Sequence, residues 1–126
     1  MTPFEALAKQ YSERRKSQRV ELPPGAIMSF SPILVPAALA GESEGEGLVM
    51  DLSLEGCRAS SEQAVIIEKP YSVIIQLPDY PHPIAVESAV PRWTHGPMFG
   101  IMFIGMPREQ ERRLKWFLDD LQSRSA

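Results

Sequence analysis

The sequence predicts a mainly β protein: a small antiparallel β-barrel of about six or seven strands, with a short N-terminal helix and a C-terminal α-helix. Two observations carry that expectation. From Ala26 to Ile104, short β-prone runs alternate with turn-forming breaks at even spacing, a pattern that favours a small antiparallel barrel over a βαβ fold. Both ends of the chain show helical periodicity instead. The chain therefore divides into residues 1–24, an N-terminal helix and a basic ligand-binding arm; residues 25–106, the barrel; and residues 107–126, the C-terminal helix.

Each element has its own signal. Thr2 can cap a helix, Pro3 suits its first position, and Glu5 can complete a capping box. Phe4, Leu7, Ala8 and Tyr11 then recur at helical spacing over residues 3–13. A helix of about three turns needs something to pack on. The basic segment follows and ends in Pro23-Pro24-Gly25, which cannot continue a helix. Ile27 to Pro32 reads as a strand, extending through Ile33-Leu34-Val35. Gly41 to Gly47 reads as a charged, solvated hairpin tip. Leu48-Val49-Met50 enters, and Cys57-Arg58-Ala59 leaves, a polar turn opened by Asp51. Tyr71 to Leu77 is strongly β-prone between two prolines. Alternation from Ile84 to Val90 turns one face to the core, and Pro91 should end that pairing or occupy an edge. Met98 to Ile104 forms the last strand. Pro107, with Glu109 and Glu111, opens a helix whose stripe is Leu114, Phe117, Leu118 and Leu121, with Trp116 beside it.

Composition narrows the function classes. At 126 residues with 44% hydrophobic and 23% charged residues, the chain reads as one ordinary globular domain. One cysteine, Cys57, rules out an internal disulfide framework, and with two histidines it makes a structural zinc site a poor expectation. No apolar run approaches the roughly 20 residues of a membrane span, and no secretory signal is visible, so a cytoplasmic location is expected. No Ser/His/Asp or Cys/His set and no carboxylate pair points to catalysis. His82 and His95 read as loop residues, and Cys57 as a packed thiol.

The candidate site lies in two segments. Arg14, Arg15, Lys16 and Arg19 concentrate four positive charges in six residues of a chain whose net charge is −3. A basic knot on an acidic protein fits a small anion better than a nucleic-acid surface, which needs a wider basic face. Arginine forks hydrogen-bond phosphate or the O6/N7 edge of guanine in pairs, and their flat faces stack on bases. In an extended arm, residues four apart such as Arg15 and Arg19 project on one side. Read alone, the segment also fits a solvated charge run at a helix end. Asp51, Ser53 and Gly56 form Asp-x-Ser-x-x-Gly, which alone is a common turn. Asp51 and Ser53 offer a charged acceptor and a hydroxyl on one side, and Gly56 permits a bend or a close ligand approach. A carboxylate can accept from the N1–H and N2–H₂ of guanine but cannot partner a phosphate. Trp93 is either a cross-strand packing residue or part of the wall near the ligand.

Together, Arg-x-x-x-Arg (Arg15, Arg19) and Asp-x-Ser-x-x-Gly (Asp51, Ser53, Gly56) resemble the signature of PilZ domains, bacterial receptors for cyclic di-GMP. Asp51 follows Arg19 by 32 positions, which leaves room for one hairpin. Glu13-Arg14-Arg15, Gly100-Ile101-Met102-Phe103 and the C-terminal helix are also similar to the family pattern, so the resemblance spans residues 13–121. It implies a stand-alone PilZ-like barrel that binds cyclic di-GMP, changes conformation and signals to an unidentified effector protein, without catalysis or cofactor. Arg15 and Arg19 would hold phosphates and guanine edges, Asp51 and Ser53 would read guanine, and Gly56 would leave room for the base. Arg14 would add a third guanidinium, which in the family accompanies a stacked ligand dimer. The alternative is a PilZ-like adaptor that works through protein contacts without nucleotide.

Overall fold

The computed structural model describes residues 19–33 and 44–125. The expected N-terminal helix and most of the basic arm, including Arg14 and Arg15, lie outside the described residues. In chain order the elements are β1 (Val20–Glu21), β2 (Ile27–Pro32), β3 (Gly45–Leu52), β4 (Gly56–Ser60), β5 (Tyr71–Gln76), β6 (Ile84–His95), β7 (Met98–Gly105) and α1 (Arg108–Ser125). Six strands run in the order β3-β2-β5-β6-β7-β4, and β4 returns to β3 to close an antiparallel barrel. The seventh, β1, lies outside the ring on β3, pairing Val20 with Leu52 and Glu21 with Asp51.

Alternation decides the faces. In β5, Tyr71, Val73 and Ile75 are buried while Ser72, Ile74 and Gln76 are exposed. Met28 and Phe30 do the same in β2. Phe30 stands at the centre, edge-on to Tyr71 at 5.8 Å and to Phe99 at 5.7 Å between ring centroids. Such aromatic pairs add about 0.5–1.5 kcal/mol each beyond the area they bury. Helix α1 lays Leu114, Phe117 and Leu118 into the same core and meets both β6 and β1. The Gln110 side-chain carbonyl accepts from the Ala85 N–H at 3.0 Å, tying the helix to β6.

Three details depart from the sequence reading. The arm does not run free to residue 24, because Val20 already joins the sheet and is buried. Gly45 and Gly47 belong to β3 and not to the hairpin tip, and both are glycine for want of room. A Cβ at 45 would stand 2.7 Å from the Phe30 ring, and one at 47 would stand 2.8 Å from the Ser60 carbonyl oxygen. Pro91 does not end β6 but takes the other place expected for it, an edge on the β5 side. The ladder to β5 stops at Ala89, while the ladder to β7 continues through Pro91 to His95. The missing proline N–H thus falls where β5 no longer asks for it. A register shift between Ser88 and Ala89 also reverses the expected alternation, burying Ala89.

Candidate ligand-binding site

A bulge in β3 creates the site. Val49 pairs with Ala59 but Asp51 pairs with Arg58, so Met50 has no partner on β4. Val49 and Leu52 are both core residues although three positions apart. The extra residue absorbs that mismatch and turns Asp51 to the outer face of the barrel. Arg58 faces the same way, because its neighbours Cys57 and Ala59 are buried.

The registers then assemble a row across five strands: Glu21 on β1, Asp51 on β3, Arg58 on β4, Gly100 on β7 and Trp93 on β6. Of the neighbours in this row, only Asp51 with Arg58 and Trp93 with Gly100 are near in sequence; the other pairs join distant parts of the chain. Gly100 leaves a gap in the row, and the Trp93 indole fills it. The indole nitrogen lies where a Cβ at 100 would be. An indole and a guanidinium therefore flank one bare stretch of backbone, beside a carboxylate.

Asp51 is only 6% exposed, yet it sits on the outer surface. The Arg58 Nε lies 3.0 Å from its Oδ2, with the Arg58 side chain 39% exposed. The approach is off-line: among the described residues, Arg58 Nε makes no directed hydrogen bond, and Asp51 Oδ1 has no hydrogen-bond partner either. A buried carboxylate oxygen left in that state is costly, about 1–3 kcal/mol or more for a charged group. Beneath it, burial pushes the Cys57 thiol up from 9.0 to about 12, the Asp51 charge adds to the rise, and Arg19 opposes it. Arg19 is exposed, and extending the β1–β3 register by one residue sets it across from Ser53. The structure thus brings Arg19, Asp51, Ser53 and Gly56 to one corner of the barrel, with Arg14 and Arg15 outside the described residues.

Ser53 and Gly56 turn out to have structural work. The Ser53 N–H donates to the Gly56 carbonyl at 2.9 Å, and its hydroxyl donates to the same oxygen at 3.3 Å. That hydroxyl also accepts from the Glu55 N–H at 3.2 Å, leaving one lone pair for any ligand. A Cβ on Gly56 would collide with the Ile101 carbonyl oxygen of β7. Close strand approach is therefore a sufficient reason for glycine here. Sequence reading passed over Arg58. The signal was present: it alternates with Cys57 and Ala59 and so shares a face with the residue opposite it.

Among the described residues, no three His, Cys, Asp or Glu side chains gather as a metal site, and no helix is long and apolar enough to cross a membrane. An apolar groove of about 340 Å³ lies elsewhere, between α1 and the β5–β6 hairpin, lined by Leu77, Tyr80, Ile84 and Trp116.

A family model of the PilZ domain matches residues 13–120. Among solved structures, YcgR of Escherichia coli in complex with c-di-GMP superposes with a TM-score of 0.69 at 17% identity, covering 89% of this chain and 47% of that one. The chain therefore spans about half of that protein's length. The PilZ domain of YcgR with c-di-GMP gives a TM-score of 0.68 at 16% identity, covering 89% of this chain and 94% of that one. No curated protein matches the chain.

Proposed function

The chain belongs to the PilZ domain family, and on that premise we propose that it is a cyclic di-GMP receptor that changes conformation on binding and signals to a protein partner. The observation that carries the reading is Asp51 Oδ1, a buried acceptor with no hydrogen-bond partner among the described residues. Guanine offers N1–H and N2–H₂ side by side, the donor pair that a carboxylate at this place lacks. Arg19 stands at the same corner, and Arg15, four positions before it, completes a pair of planar cations for the phosphates and the O6/N7 edge of the base. Arg14 adds a third. Ser53 serves through the turn that it locks and through its remaining lone pair, and Gly56 keeps β4 close to β7 beneath the base. Trp93, over Gly100, is a wall for the base to lie against.

Signalling follows from connectivity. Residues 13–19 lead directly into β1, and α1 packs on β1. A ligand that fixes Arg15 and Arg19 against the barrel thereby reaches the helix. The effector partner is a protein met on a surface that this rearrangement alters. Isothermal titration of the intact chain with cyclic di-GMP tests the receptor role. Saturable binding that survives physiological salt is expected, and absence of binding would overturn the reading.

A further inference from the structure

We propose that Arg58 is a positioning residue that sets guanine specificity through Asp51. The inference rests on the receptor reading above and goes beyond the residues of the two arginine and Asp-x-Ser motifs. Three observations support it. Arg58 Nε lies 3.0 Å from Asp51 Oδ2, on the face of the barrel that the β3 bulge gives to both. Asp51 Oδ1 is buried and has no hydrogen-bond partner among the described residues. Arg58 pairs on its other side with Gly100, whose missing side chain is replaced by the Trp93 indole.

A free carboxylate rotates about its last bond and presents either oxygen. Here one oxygen is held beside a cation, so the other has a fixed direction. That asymmetry matters for reading a base. Guanine donates where adenine's corresponding N1 accepts and no N2 amine exists. A carboxylate fixed in direction rewards the first and meets the second with lone pair against lone pair. A carboxylate free to turn away loses much of that penalty. Arg58 thus acts on discrimination more than on charge attraction. Its off-line approach to Oδ2 is part of the same design: neither group is saturated by the other, and a donor arriving at Asp51 need not break a directed bond. Lysine does not substitute, since its point charge on a flexible stem sets no plane beside the carboxylate as the guanidinium does.

The experiment measures affinities for cyclic di-GMP and cyclic di-AMP by titration on the intact chain and its variants Arg58→Leu, Arg58→Lys, Asp51→Ala and Asp51→Ala/Arg58→Leu. The double variant removes both charges, which guards against a chain that fails to fold with Asp51 buried and unpaired. Arg58→Leu is expected to narrow the ratio of the two affinities at least tenfold, with Arg58→Lys restoring only a small part. Once Asp51 is alanine, Arg58→Leu should change the ratio no further, which is the signature of one residue acting through the other. A wild-type ratio in Arg58→Leu overturns the proposal. Equal weakening of both ligands, in the Asp51 and the alanine background alike, also overturns it and assigns Arg58 to phosphate. Failure of the unmodified chain to bind cyclic di-GMP at all is a different result, and it removes the receptor reading together with the inference.

Discussion

Trp93 lies directly across from Gly100, and its indole nitrogen occupies the space that a Cβ at position 100 would take. The pair fuses two requirements. The sheet needs a residue without a side chain, and an exposed aromatic gains a backbone to lie on. Substituting Gly100→Ala should lift the indole and cost about 1–3 kcal/mol of stability, the usual range for adding a methyl group where none fits. Denaturant unfolding gives the stability, and Trp93 emission, isolated in a Trp116→Phe background, should shift to the red. Unchanged emission would show that the contact yields without moving the ring.

Arg15→Ala and Arg19→Ala test the arm. A charge-assisted hydrogen bond is worth roughly 1.5–3 kcal/mol, so each variant should weaken cyclic di-GMP binding at least tenfold. Arg19 is exposed and precedes the two-residue β1, so its melting temperature should stay within a degree or so of the parent's, as for most exposed positions. Full affinity in both variants would remove the arm from the site.

Arg14 addresses stoichiometry. Two stacked ligand molecules carry four phosphate charges, and Arg14, Arg15, Lys16 and Arg19 supply four positive ones. Titration of the unmodified chain should end near two ligands per chain, and Arg14→Leu should lower that to one without abolishing binding. An endpoint of one for the unmodified chain rejects the dimer and leaves the single-ligand site standing.

Cys57 provides a probe beneath the site. Its thiol is pushed up to about 12, first by burial and then by Asp51. A raised folded-state value means that the unfolded chain loses the proton first. The thiol's contribution to stability is then complete below pH 9 and declines as pH rises from there toward about 12. At pH 8 a thiol reagent should react slowly with the native chain and at once in denaturant. Rapid native labelling would place the thiol at the surface.

Much of this molecule was legible in local pattern. The strand at Tyr71–Gln76 announces itself as a β-prone run between prolines, and the C-terminal helix by Pro107 and its apolar stripe. Asp51, Ser53 and Gly56 were recognisable as a turn because their spacing is local. Pro91 left two readings open, a break or an edge, since a proline looks the same in sequence whether or not a neighbouring strand needs its N–H; the ladders make it an edge. Gly45 and Gly47 misled: glycine chosen for crowding cannot be told from glycine chosen for a turn until the Phe30 ring and the Ser60 carbonyl are in place.

By itself, then, the sequence determined that strands form, where most of them lie, that the chain closes on a C-terminal helix, and which residue types concentrate charge and hydrogen-bonding groups. Those are properties of neighbours along the chain. Only the tertiary structure decided that Arg58 stands against Asp51, that Trp93 covers Gly100, and that one row of outward side chains crosses five strands. The reason is register. A single bulge at Met50 sets which face Asp51 takes, and a one-residue slip of any one strand would turn that strand's member of the row to the other face and break the row there.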